Sequence, residues 1–193
     1  NYCSIDIFNN RLKESFNITS KSIINSAGLG AIDLSNQLFP EFETPILNPV
    51  KGAYIKYSGL SPFKHIIYQA FVPGKIKERI DATPSVNDEL RFGPSVEKCN
   101  DKNDFYKNDK IIMKFYENIK KYFTKVEKKK LFLDQAGIRP KIIQKNVELS
   151  DFKFVWGPDN KFLNLWGIES PGLTASLAIG DYVLDEFKKQ KIF

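Results

Sequence analysis

The stretch that most narrows what this chain can fold into is FLNLWGIESPGLTASLAIGDYV, residues 162 to 183. An apolar run ends at Gly167, a Ser-Pro-Gly turn follows at 170–172, and apolar residues then recur at helical spacing to about Lys188. That order predicts a strand, a tight turn and a closing helix from Pro171 to about Lys188. The same grammar appears near the other end. In NITSKSIINSAGLGA a short β-branched run, Ile23-Ile24, passes through Gly28-Leu29-Gly30 into a periodic stretch at Ala31, Ile32, Leu34 and Leu38. A strand, glycine turn and helix at each end point to an α/β (α+β) chain.

The closing turn has a chemical reading. Ser170 stands where an N-cap belongs and Pro171 where the first helical residue belongs, which leaves the amides of Gly172, Leu173 and Thr174 without intrahelical partners. Gly167 and Gly172 remove side chains on both sides, so a ligand can approach the backbone. Such a helix start receives a phosphate, a carboxylate or the pyrimidine edge of a flavin, and it serves equally as a capped helix with nothing bound. The glycines at 28 and 30 resemble those nucleotide sites use for close approach, although no GxGxxG is present.

Between these ends the pattern changes. Prolines at 40, 45 and 49 mark a boundary, and from Val50 to about Val96 short aromatic or β-branched runs alternate with Gly, Pro and Asn-Asp. GAYIKYS, HIIYQAFV, RIDATPSV and ELRFGPSV predict an antiparallel meander with a hairpin turn at Asn87-Asp88. From about Asp109 to Phe123 apolar residues at 111, 112, 115, 116, 119, 122 and 123 form one face of an amphipathic helix, whose aromatic stripe reads as core. DFKFVWG and FLNLWGI predict two further strands.

Charge and composition exclude several functions. The formal net charge is +6, yet only four basic residues are arginine (Arg11, Arg79, Arg91 and Arg139) and the lysines are scattered. A nucleic-acid surface would cluster arginine with stacking aromatics, so no nucleic-acid partner is expected. The lysine runs at 128–130 and 188–189 follow helical stretches and complement their ends. Cys3 and Cys99 lack metal spacing and His65 is the single histidine, which predicts no metal site and a reducing compartment. No run approaches the roughly 20 apolar residues that span a bilayer. The chain begins NYCSID, without a methionine, and reads as a fragment.

Arg139 is the second candidate functional residue. It lies in QAGIRPK, between the freedom of Gly137 and the stiffness of Pro140, and a guanidinium binds a carboxylate through two parallel hydrogen bonds. A surface arginine has the same sequence appearance.

Six motifs, in order, resemble the C-terminal half of FAD-dependent oxidoreductases of the D-amino-acid-oxidase type, nearest the L-2-hydroxyglutarate dehydrogenase or oxidase group. They are SIINSAGLGA (22–31), KGAYIKYSG (51–59), HIIY (65–68), LRFGPSVE (90–97), AGIRPK (136–141) and GIESPGLTASLAIG (167–180). The resemblance implies segments of a Rossmann-like FAD domain at 1–48 and 161–193, flanking a substrate-binding region at 49–160 built on an antiparallel sheet with a flanking helix. It implies FAD contacts at Ala27, Gly28, Leu29, Gly167, Ile168, Ser170, Gly172, Leu173 and Thr174. Arg139 would clamp a substrate carboxylate, with Tyr54, Tyr57 and His65 near it. The implied reaction is oxidation of a small 2-hydroxy acid to the 2-oxo acid, with electrons passed on to oxygen or a membrane quinone.

Two departures from the family pattern qualify this expectation. The GxGxxG loop for the FAD pyrophosphate is missing, so the partner would be the N-terminal half of the same enzyme, and the chain alone is expected to be inactive. Where related sequences read Gly-Val-His-Leu-Thr this one reads Arg79-Ile80-Asp81-Ala82-Thr83, which leaves Asp81 in the place of a histidine base; the usual IYPVP reads IYQAF at 67–71. A non-catalytic remnant or binding module of a split gene, and an amine or amino-acid oxidase, are the alternatives. The expected location is cytoplasmic, with peripheral membrane contact allowed.

Overall fold

Phe162–Trp166 is buried at every position, so the strand it forms must be covered on both faces. In the computed structural model, which describes residues 2–70, 79–106 and 108–192, it is the middle strand of a three-stranded sheet. The chain divides into two compact units, Asn1–Asn48 with Pro140–Phe193, and Pro49–Arg139.

The first unit begins with a hairpin, β1 (Cys3–Asn9) against β2 (Glu14–Ser20), which the sequence reading does not include; β1 is half-buried on one face only and β2 is almost wholly exposed. β3 (Ile23–Asn25) follows, then a single 3-10 turn over Gly28–Gly30 and helix α1 (Ala31–Leu38). Ile23–Asn25 pairs in parallel with Phe162–Trp166, in register Ile23 to Phe162 and Asn25 to Asn164. β4 (Ile46–Leu47) closes the unit's first segment.

The second unit centres on β5 (Val50–Tyr57). β6 (Asp81–Pro84) and β7 (Leu90–Gly93) form a hairpin through the expected Asn87-Asp88 turn, with Asp88 at φ 59°. β7 and the short β8 (Glu97–Lys98) both pair antiparallel with β5. The amphipathic helix α2 covers Lys110–Ile119, four residues shorter at its end than the periodicity predicts. Tyr122 and Phe123 still reach the core, because backbone bonds from both amides to the Ile119 carbonyl continue the turn past the helix end, and the Tyr122 hydroxyl donates to the Ile80 carbonyl at 2.8 Å. β9 (Leu131–Arg139) then runs along the whole other edge of β5. The core lies between this sheet and α2, with Ile55, Ile80, Leu90, Phe92, Phe115 and Ile119 fully buried. Of HIIYQAFV, Ile67 makes a bridge to Ala82, and Phe71 and Val72 lie outside the described residues.

The chain returns to the first unit with β10 (Ile142–Gln144) and β11 (Val147–Glu148), which join β4 in a second small sheet. β12 (Lys153–Trp156) and β13 (Phe162–Trp166) are the antiparallel pair expected from DFKFVWG and FLNLWGI. Residues 140–160 therefore pack with the first unit, whereas the sequence reading drew the edge of that region at 161. The closing helix α3 spans Ser176–Lys189, with Val183 and Phe187 against Leu163 and Leu165. Among the described residues no helix is long and apolar enough to cross a membrane.

Candidate functional site

In the first unit the parallel pairing of β3 and β13 decides where the turns go. Both strands end at the same edge of their sheet, so the turn at 26–30 and the loop at 167–174 leave from one carboxyl-terminal edge, where open α/β sheets bind ligands. Gly28 has φ +56°, a left-handed conformation that glycine adopts without penalty, and a Cβ built there meets nothing within 4 Å. Ala27 is exposed, and Gly28 and Leu29 are half-buried. The space over this turn is open to an approaching ligand.

The loop at 167–174 differs from its sequence reading. Pro171 is not the first helical residue and Ser170 is not the N-cap; the helix starts at Ser176, capped by Ala175 without a side-chain bond. The chain first folds through two turns, in which the Gly172 amide donates to the Glu169 carbonyl and the Ala175 amide to the Pro171 carbonyl. Gly172 is buried, and a Cβ there would lie 2.7 Å from the Glu169 carbonyl oxygen, so the tight turn itself requires glycine. The amide of Gly172 is therefore spent internally. Those of Leu173 and Thr174 carry no backbone partner and border an open groove of about 500 Å³ lined by residues 168–174. Ile168 packs inward with the Leu163 cluster, and Leu173 is 90% exposed.

Lys141 fixes the base of this loop. Its ammonium lies 3.0 Å from a Glu169 carboxylate oxygen and 3.1 Å from Glu148, and the bond to Glu169, more than that to Glu148, holds its pKa above the usual lysine value. Gly167, at φ +71°, lets the chain pass close over Ile142, whose Cδ1 would be 3.1 Å from an added Cβ.

The second unit carries its candidate residues on the outer face of the sheet. Gly52 and Gly137 are cross-strand partners, and the Arg139 guanidinium lies over Gly52, its Nη2 3.3 Å from the position of an added Cβ. Two adjacent strands thus give the guanidinium a floor of bare backbone, with open space above Gly137. Tyr54 is two residues on from Gly52 and half-buried; its ring lies across Gly93, where an added Cβ would be 2.6 Å from Tyr54 Cδ1. Asp81 pairs with Gly93, so the alternation of the strands puts it on the same face as Tyr54. The Asp81 carboxylate accepts from the Gln69 amide at 3.4 Å, and it adds to the burial that raises the Tyr122 phenol.

Arg139, Tyr54 and Asp81 are thus brought to one face, and two other candidates are not with them. Tyr57 points into the core, 6% exposed and edge-on to Phe92 and Phe123. His65 is exposed on the irregular segment after β5. Sequence reading set Arg139 between Gly137 and Pro140 without assigning it to a strand; it ends a nine-residue strand, and the missed signal is the alternation in LFLDQAGIR, obscured by a bulge opposite Ala53–Ile55. Among the described residues no cluster of three His, Cys, Asp or Glu side chains is arranged to hold a metal ion.

A flavin nucleotide fits part of this surface. The left-handed Gly28 turn with open space above it and the unpartnered amides of Leu173 and Thr174 suit one end of such a group, whereas the chain contains no GxGxxG for a pyrophosphate.

Comparison with known proteins gives a consistent result. Residues 7–186 match the model of the DAO family, described as FAD dependent oxidoreductase. The mitochondrial L-2-hydroxyglutarate dehydrogenase of Arabidopsis thaliana is 33% identical over 182 residues, covering 86% of this chain and 37% of that protein. A glycerol 3-phosphate dehydrogenase of Caloramator mitchellensis is 30% identical over 173 residues, covering 88% and 34%. The chain spans little more than a third of the length of these curated relatives. Among solved structures, the FAD-bound L-alpha-glycerophosphate oxidase of Mycoplasma pneumoniae superposes with a TM-score of 0.73 at 23% identity, covering 88% of this chain and 43% of that one. The glycerol-3-phosphate dehydrogenase of Bacillus halodurans, complexed with FAD, gives 0.74 at 14% identity, covering 97% and 36%. Both support the same fold.

Proposed function

The chain belongs to the FAD-dependent oxidoreductase family, and from that premise we propose that it is the C-terminal portion of an enzyme oxidising a small 2-hydroxy acid, of the L-2-hydroxyglutarate kind, to the 2-oxo acid. The observation that carries this reading is Arg139 laid over the Gly52–Gly137 floor, a fixed cation on a face that also holds Tyr54 and Asp81. Its planar donors suit a carboxylate bound through two parallel hydrogen bonds. The likeness to an L-2-hydroxyglutarate dehydrogenase supports the acid substrate.

FAD, when bound, supplies the hydride acceptor for such an oxidation. The protein's own groups bind and orient. The amides of Leu173 and Thr174 and the open turn at Ala27, Gly28 and Leu29 receive the cofactor, and Gly167, Ile168, Ser170 and Gly172 shape that loop. Arg139 holds the substrate carboxylate, Tyr54 lies beside it, and Asp81 accepts the hydroxyl proton at its carboxylate oxygen. The N-terminal half of the enzyme supplies the pyrophosphate loop, and oxygen or a membrane quinone takes the electrons, at a cytoplasmic location with peripheral membrane contact.

A second reading takes a phosphate in place of the carboxylate, because a curated relative and two solved structures are named for glycerol phosphate. Arg139 serves either anion. The test is to produce the chain with its upstream half and record the visible spectrum, then add L-2-hydroxyglutarate or glycerol 3-phosphate without oxygen. A flavin band bleached by the hydroxy acid supports the proposal, bleaching by glycerol 3-phosphate alone selects the second reading, and a folded, colourless protein refutes both.

A further inference from the structure

Beneath the turn at 26–30 lies a polar cluster that the reading above does not use. Asn25, Ser35, Asn164 and Trp166 are between 0% and 2% exposed, an unusual depth for three polar side chains. The Asn25 carboxamide sits inside the turn. Its Oδ1 accepts from the Ala27 amide at 3.3 Å, and its Nδ2 donates to the Ala31 carbonyl at 2.8 Å and to Asn164 Oδ1 at 2.9 Å, with Ser35 Oγ a longer third partner at 3.2 Å. The Ser35 hydroxyl lies 2.8 Å from the Ala31 carbonyl and 2.6 Å from Asn164 Oδ1, and it receives the Trp166 indole N–H at 3.3 Å. Asn164 Nδ2 donates to the Val155 carbonyl at 3.3 Å.

This cluster admits one orientation of Asn25. Reversed, its oxygen would face two acceptors, the Ala31 carbonyl and Asn164 Oδ1, and its nitrogen would face the Ala27 amide. A buried network in which every member is satisfied is rigid, and its members are costly to replace singly. The amide spans the turn from inside, gripping Ala27 at its entry and Ala31 at its exit, while Gly28 between them holds φ +56°. Asn164 links the same amide to β13, the strand that leads into the loop at 167–174.

We infer that Asn25 is a positioning residue for the cofactor-side turn: its carboxamide holds the backbone of 27–30 in the conformation that leaves Gly28 open to a nucleotide, and Asn164 sets that turn against the second loop. The nature of the ligand rests on the function proposed above; the positioning rests on the network alone.

The test uses the whole protein with its upstream half. Asn25→Asp keeps size and shape but replaces both Nδ2 donors with an acceptor. It is expected to raise amide hydrogen exchange at 27–30 at least tenfold, with β5 as the unchanged internal reference, to weaken FAD binding at least tenfold in a fluorescence titration, and to shift the visible flavin bands. Ser35→Ala removes the longer Asn25 Nδ2–Ser35 Oγ contact of 3.2 Å but leaves the Asn25 bonds to Ala27 and Ala31 in place, and is expected to lower the melting temperature with FAD affinity within twofold of the parent. Asn164→Ser removes one Nδ2 acceptor without touching the turn and is expected to weaken FAD at least threefold; it carries the test if Asn25→Asp does not accumulate as folded protein. Parent-like exchange at 27–30 in the folded variant overturns the inference, as does a loss of affinity in Ser35→Ala equal to that in Asn25→Asp. If the parent itself binds no flavin, the cofactor reading fails and the exchange comparison alone decides the positioning.

Discussion

Gly52→Ala adds one methyl group directly beneath the Arg139 guanidinium. Built on the Gly52 backbone, that carbon lies 3.1 Å from Pro94 Cβ, 3.2 Å from the Ser95 carbonyl oxygen and 3.3 Å from Arg139 Nη2, all inside the 3.4–4 Å of ordinary contact. Pro94 and Ser95 have little room to retreat, since the Ser95 amide donates to the Ala53 carbonyl at 2.9 Å and the Ala53 amide donates to Ser95 Oγ at 2.9 Å. The arginine side chain is the part that yields. Overpacking of this kind costs about 1–3 kcal/mol, and a single methyl with contacts short by a few tenths of an ångström belongs at about 1–2 kcal/mol. In a chain of this size that lowers the melting temperature by about 2–8 °C. A displaced guanidinium loses the alignment of one of its two bonds to the substrate anion. A charge-assisted bond is worth about 1.5–3 kcal/mol, so KM should rise roughly tenfold or more. The assay is a thermal melt of the chain together with steady-state kinetics of the whole enzyme. Gly137→Ala is the control, since its added carbon meets nothing within 4 Å, and it should leave the melting temperature within about 2 °C of the parent. A Gly52→Ala protein with parental melting and parental KM would refute the reasoning.

Three other expectations follow from the same geometry. Phe115→Ala, at a position with 0% exposure between α2 and the sheet, should destabilise by about 3–5 kcal/mol, measured by denaturant unfolding. Gly172→Ala should remodel the loop at 169–172, because its Cβ would press on the Glu169 carbonyl, and an increase in proteolytic nicking there checks it. The Lys51 ammonium, bonded to Asp104 at 2.9 Å, holds that carboxyl below its ordinary 3.8. Its contribution to stability is therefore full above that value and lost as the pH falls through the depressed one, so Asp104→Asn should flatten the acid limb of a melting-temperature profile. The unaltered slope in that variant would show that the pair does not contribute.

Legibility in the sequence followed burial. The strands that are apolar on a face, GAYIKYS, ELRFGPSV and FLNLWGI, and the helix at 110–119 announce themselves by period, because one or both of their faces must leave water. The β1–β2 hairpin is at most half-buried, on the face of Cys3, Ile5 and Ile7, so its short alternation is a weak signal, and β9 is interrupted by a bulge and by Asp134 and Gly137. The glycine turn at 28–30 was legible because positive φ selects its residue type. The start of the closing helix was misplaced, because Ser-Pro reads as a cap from sequence while the backbone bonds made by Gly172 and Ala175 delay the helix to Ser176. Tyr57 shows the same limit: an aromatic beside a glycine motif looks available, and strand alternation alone turns it into the core.

The discontinuity of the first unit has a kinetic consequence. Asn25 and Asn164 are 139 residues apart in the chain, and the parallel pair they belong to cannot form until both segments have been made. The intervening unit has its own termini side by side, since Val50 is the cross-strand partner of Arg139. Once that unit is folded it acts as a staple in the chain, removing roughly two thirds of the loop that β3 and β13 must close and easing closure by about 1 kcal/mol. Synthesis order favours the same sequence of events, the contiguous unit first and the divided one after it, so a slow-folding insert should delay the cofactor-side sheet even when every residue of that sheet is intact.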